Sequence, residues 1–62
     1  MGEKIRILRE QIGITQKQLA QAIGVDASAV SFWESGKTQP TVANLVRIAE
    51  VLKCKPGDLF TV

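Results

Sequence analysis

The chain has 62 residues, 45% of them apolar, and eight Lys and Arg against six Asp and Glu give a formal charge of +2. That length suits one domain, expected over residues 1–62, and the apolar share excludes a disordered tail. A lone cysteine and no histidine leave no internal disulfide and no metal site to expect, and no apolar run approaches the ~20 residues that cross a bilayer.

The first periodic segment runs from about Glu3 to Ile12. Ile5, Leu8 and Ile12 recur at helical spacing and are expected on one buried face, with Gly13 just past the end. Thr15 followed three residues later by Gln18 is a capping-box signature, so a second helix is predicted over Gln16 to Ile23 and closed by Gly24. Asp26 is placed to cap a third helix, Ala27 to Ser35, which Gly36 closes in turn.

Those two short helices and their tight turn form a helix-turn-helix pattern. Two helices that cross steeply bring their backbones together at one point, which calls for a small side chain such as Ala20. The turn calls for a residue that accepts positive φ at little cost, which is Gly24. Leu19, Ile23, Val25, Val30 and Trp33 then face inward, and the outer face of the third helix stays free. Trp33 lies three residues from Val30 and belongs to the core, whereas Phe32, about 100° around the helix, lies on the open side.

The segment after Ser35 is a loop of Gly, Pro and small polar residues. Thr41 is placed to cap a fourth helix from Val42 to about Leu52, with Leu45, Ile48, Ala49 and Leu52 on its buried face. Pro56 suits the start of a last short turn ending at Leu59. No stretch alternates with period two, so the expected fold class is all-α: a compact domain of four to five helices around a central helix-turn-helix. Cys54 is expected as a small buried hydrophobe behind the fourth helix.

These elements, in this register, make the sequence similar to the DNA-binding domain of lambda-type repressors, Cro proteins and Xre-like regulators. The resemblance covers essentially the whole chain. Its residues are IRILRE, GITQKQLAQAIGV, the stretch from Val30 to Pro40 with Trp33, Glu34, Gly36 and Lys37, then NLVRIAEVL and KPGDLF. It implies that the third helix enters the major groove with Ala27, Ser28, Ser31 and Phe32 facing the bases. It implies phosphate contacts from Gln16, at the start of the second helix, and from Ser35, Lys37, Thr38, Gln39 and Thr41, with Lys17 beside them. It also implies a salt bridge between Arg9 and Glu34 beneath the third helix.

The chain departs from the family pattern at the reader helix. The family often places Gln, Arg, Asn or Lys at base-facing positions, where amides and guanidinium groups read bases bidentately. Ala27 and Phe32 lack that capacity, although an apolar side chain can pack on a thymine methyl. Lys53 and Lys55 stand where Gly and Ser are common in the family, which leaves the end of the fourth helix without its usual cap.

The expected partner is therefore double-stranded DNA, bound by a repressor-like regulator. A homodimer is expected on a palindrome, its interface formed by apolar residues left over in the C-terminal half: Val46, Val51, Phe60 and Val62. The competing reading is a protein-interaction or antitoxin-type module whose reader helix has turned apolar through Ala27, Ala29 and Phe32. An enzyme is disfavoured: there is no His, no activated nucleophile and no phosphate-cradling glycine loop, and neither a cofactor nor a small-molecule ligand is expected. No secretory leader is read, and the expected location is the cytoplasm.

Overall fold

The computed structural model describes residues 1–59. Four α-helices follow in order: α1 (Gly2–Ile12), α2 (Gln16–Ile23), α3 (Ala27–Ser35) and α4 (Val42–Leu52), closed by a 3₁₀ turn over Pro56–Leu59. Among the described residues there is no strand, and no helix is long and apolar enough to cross a membrane.

Local chemistry accounts for most of the boundaries. The Thr15 hydroxyl oxygen accepts the Gln18 N–H at 3.0 Å, and the Gln18 carboxamide oxygen accepts the Thr15 N–H at 2.8 Å. This reciprocal pair satisfies two donors at the start of α2. The Thr41 hydroxyl accepts the Asn44 N–H at 3.2 Å and starts α4 in the same way. Asp26 takes the N-cap position of α3 with extended backbone, but its side chain makes no cap hydrogen bond, so the expected carboxylate cap is absent. Gly24 ends α2 with φ 83°, the left-handed geometry expected of the turn. Lys53 ends α4 with φ 58° and is the one non-glycine residue at positive φ among those described. The helix therefore keeps a left-handed cap without the glycine that makes it cheap.

The core joins all five elements. Ile5 comes from α1, Leu19, Ala20 and Ile23 from α2, Val30 and Trp33 from α3, Leu45, Ile48, Ala49 and Leu52 from α4, and Leu59 from the final turn. α2 packs on α3 and α4, α1 packs on α3 and α4, and the 3₁₀ turn closes against α4 and α1. The inward faces of α2, α3 and α4 match their spacing.

Helix α1 differs from its periodic reading. Ile5 is fully buried and Leu8 is half-buried against the core, but Ile12 is exposed, and Arg9 takes the remaining buried position. Arg9 faces α3, where the Glu34 carboxylate receives it. At the other end of α1, a Cβ added to Gly2 would collide with the Trp33 carbonyl oxygen and come within 2.8 Å of that of Glu34. The first turn of α1 thus abuts the carbonyl end of α3, a contact that only glycine fits.

Among the residues expected to form a dimer surface, Val46 is exposed, whereas Val51 is half-buried and packs on this chain's own core. Phe60 and Val62 lie outside the described residues. Cys54 is half-buried against the core rather than enclosed, and burial pushes its thiol pKa up, with Asp58 adding to the rise and Lys4 opposing it.

Candidate nucleic-acid interface

The packing of α3 decides what it can present. Val30 and Trp33 point inward and are buried, so Ala27, Ser28 and Phe32 are left exposed on the opposite side. Ser31 is half-buried, less open than expected. The exposed row therefore offers one hydroxyl, one methyl and one aromatic ring, Phe32 being 39% exposed.

Flanking this face are Gln16 and Lys17 at the start of α2, and Ser35, Lys37, Thr38, Gln39 and Thr41 after α3. Lys17, Ser35, Lys37, Thr38, Gln39 and Thr41 are all exposed. In each of α2 and α4 one amide of the first turn, that of Gln18 or Asn44, is taken by the capping threonine. The amides of Gln16, Lys17, Val42 and Ala43 have no intrahelical acceptor, as at the start of any helix, and such donors suit an anion.

Gln16 is not a free side chain. It is half-buried, and its Nε2 donates to Glu34 Oε1 at 3.0 Å. The same carboxylate receives Arg9 Nε at 2.7 Å and Arg9 Nη2 at 3.1 Å, while Arg9 Nη1 donates to the Ile14 carbonyl at 2.7 Å. The side chains of Arg9 and Glu34 are 10% and 4% exposed, so the expected salt bridge exists and is nearly dry. The hydrogen bond to Glu34 raises the Arg9 pKa, against burial, which alone would lower it. One carboxylate thus ties α1, α2 and α3 together beneath the reader. An amide nitrogen carries two hydrogens, so Gln16 can keep Glu34 and offer its second hydrogen outward.

The loop after α3 is folded back on residue 32. The Phe32 carbonyl accepts the N–H of Lys37 at 2.9 Å, the N–H of Thr38 at 3.3 Å and the Ser35 hydroxyl at 3.1 Å. The hydroxyl of Ser35 is therefore already engaged as a donor. The Lys37 ammonium lies 4.6 Å from the centroid of the Phe32 ring. Sequence reasoning missed this contact and the Gln16–Glu34 bond. A separation of five residues across a helix end carries no periodic signal, and a bond between residues 18 apart depends on how α2 sits on α3.

Comparison with known proteins agrees with this geometry. A helix-turn-helix family profile matches residues 5–59. Repressor protein C2 of Salmonella phage P22 is 39% identical over 60 residues, 97% of this chain and 28% of the relative. The HTH-type transcriptional regulator DicA of Escherichia coli K12 is 41% identical over 56 residues, 90% of this chain and 42% of the relative. The chain thus spans less than half the length of these two curated relatives. A crystal structure of the P22 c2 repressor with a synthetic operator superposes with a TM-score of 0.90 at 38% identity, covering 94% of this chain and 88% of that one. A helix-turn-helix matched over nearly the whole described chain, on the same helical arrangement, identifies the protein as a member of the lambda repressor-like, Xre-type helix-turn-helix family.

Proposed function

We propose that residues 1–62 act as a single DNA-binding unit of a repressor-like transcriptional regulator, with α3 in the major groove of double-stranded DNA. The observation that carries this reading is the split of α3: one face is locked into the core by Val30 and Trp33, and the other is left open between two helix starts. Ala27, Ser28, Ser31 and Phe32 face base edges. Gln16, Lys17, Lys37, Thr38, Gln39, Thr41 and the carbonyl-tethered Ser35 line the phosphate path. The likeness to a repressor bound to its operator supports the same orientation here.

Few of these side chains read bases by hydrogen bonding, so phosphate contacts supply most of the affinity, and binding weakens steeply with salt. One reader helix covers a small site. Two copies with readers about 34 Å apart would engage a palindrome and multiply the affinity. The mechanism is occupancy of an operator rather than catalysis, and the site of action is the cytoplasm.

Selection of bound sites from random duplex DNA tests the reading. Enrichment of a palindrome supports a dimeric regulator. Lys37→Ala should weaken all sequences about equally and reduce the salt slope by about 1. Capture of protein partners with no salt-dependent retention of DNA would replace this reading with the interaction-module one.

A further inference from the structure

Phe32 and Lys37 have so far been assigned to different tasks, one toward bases and the other toward phosphate. The structure joins them twice over. The Phe32 carbonyl holds the backbone of the loop through the Lys37 and Thr38 amides, and the Phe32 ring holds the Lys37 ammonium at 4.6 Å from its centroid. That distance is within the ~6 Å at which a cation is attracted to the negative face of an aromatic ring.

We propose that Phe32 is a positioning residue for Lys37, its ring keeping the ammonium at the C-terminal end of α3 as a preformed phosphate clamp. The inference rests on the DNA-binding reading above. A lysine on an exposed loop samples many rotamers, and that freedom is lost when it grips a phosphate. A ring carried by a helix has only two side-chain torsions, and its backbone is fixed by α3. An ammonium resting on it is biased toward one placement before DNA arrives. The ring face satisfies the charge without using up the three N–H donors, so those turned away from the ring remain free for phosphate oxygens.

The reader position that lost its amide thereby acquires a second use. Base contact by Phe32 depends on the thymine methyl, whereas clamp positioning depends on the ring and the ammonium and is indifferent to sequence. Phe32→Leu separates these from the backbone tether: it keeps an apolar side chain and the residue-32 carbonyl, and removes only the ring.

The test uses the whole chain and a duplex of about 20 base pairs, long enough for two half-sites, in which every thymine is replaced by deoxyuridine so that no methyl contact remains. Wild type, Phe32→Leu, Lys37→Met and the double variant are titrated across a salt series, after matching thermal transitions show that all four are folded. Phe32→Leu is expected to weaken binding about two- to fivefold at low salt, the range of an exposed cation–ring contact. Lys37→Met should weaken it more and reduce the salt slope by about 0.9. Adding Phe32→Leu to Lys37→Met should then change nothing further. In the free wild-type protein, the Lys37 Hε protons should resonate upfield, and Phe32→Leu should abolish that ring-current shift.

Multiplication of the two effects in the double variant would overturn the proposal. So would full affinity in Phe32→Leu beside a weakened Lys37→Met. If wild type binds neither this duplex nor its thymine-containing counterpart, the DNA-binding reading fails and the clamp fails with it. A persisting ring-current shift in that case would show a ring–ammonium pair serving some other end.

Discussion

Removing one partner of the Arg9–Glu34 pair should cost far more than removing both. The two side chains are 10% and 4% exposed and share hydrogen bonds of 2.7 and 3.1 Å, so water contributes little to either charge. A buried ion stripped of its partner costs about 3–5 kcal/mol. Both single variants fall toward the lower end of that range for structural reasons. In Arg9→Met the Gln16 amide still donates to Glu34, although the Ile14 carbonyl loses its donor. In Glu34→Leu the guanidinium keeps the Ile14 carbonyl and lies 3.9 Å from Glu10. At 0.05–0.15 kcal/mol per residue, a chain this long has a total stability of roughly 3–9 kcal/mol, so either variant removes a large share of it. The double variant Arg9→Met/Glu34→Leu strands no charge and should lie within about 1–2 kcal/mol of wild type. Urea unfolding followed by far-UV circular dichroism and Trp33 fluorescence measures all four corners of the cycle. A coupling of about 4–5 kcal/mol is expected, the two single losses of about 3 kcal/mol each less the double variant's roughly 1–2, and a single variant unfolded in water agrees with it provided that the double variant folds. Additive losses, or single losses below about 1 kcal/mol, would show that water screens the pair and that the junction of α1, α2 and α3 is held by packing alone.

Phe32→Ala should cost about 1–3 kcal/mol on the preferred DNA site and less on random duplex, and replacing the facing thymine by uracil should reproduce much of that loss. Equal losses on all duplexes would remove the base-reading role and leave only the clamp. Lys53→Gly should stabilise the fold by about 0.5–1 kcal/mol, because relief of left-handed strain at φ 58° exceeds the added freedom of the unfolded chain; a lower melting temperature would show that the Lys53 side chain earns its place. Gly2→Ala should lower the melting temperature despite alanine's ~1 kcal/mol advantage in helices, since its Cβ meets two α3 carbonyl oxygens; a higher melting temperature would mean that the first turn of α1 moves aside. The Cys54 thiol has a pKa raised by burial, so the folded state holds its proton more tightly than the unfolded chain. That contribution is whole below the ordinary value of 9.0 and is lost as pH climbs through the folded value. Iodoacetamide at pH 8 should accordingly alkylate the native protein more slowly than the urea-unfolded chain, and equal rates would refute the shift.

The helices, the threonine and glycine caps and the class of the protein were legible in the residues because each depends on contacts within a few positions. The Thr15–Gln18 box, the left-handed Gly24 and the apolar spacing of α4 are local devices, and they appear where the spacing placed them. The Arg9–Glu34 bridge was legible only through family resemblance, since nothing in the spacing of residues 25 apart brings them together. Helix α1 shows where periodicity fails: it assigned Ile12 to the buried face and carried no signal of its own for the burial of Arg9, because a buried charge paired across the fold looks like a solvated one in sequence. Asp26 sits where a cap belongs yet makes no cap bond, since a side-chain rotamer is chosen by surroundings that the N-cap pattern does not contain. Only the tertiary structure decided that Gln16 answers to Glu34, that Gly2 must be glycine and that Lys37 rests on Phe32. Each of these depends on the angle and distance at which one helix or loop meets another, which long-range packing sets and no short window of sequence records.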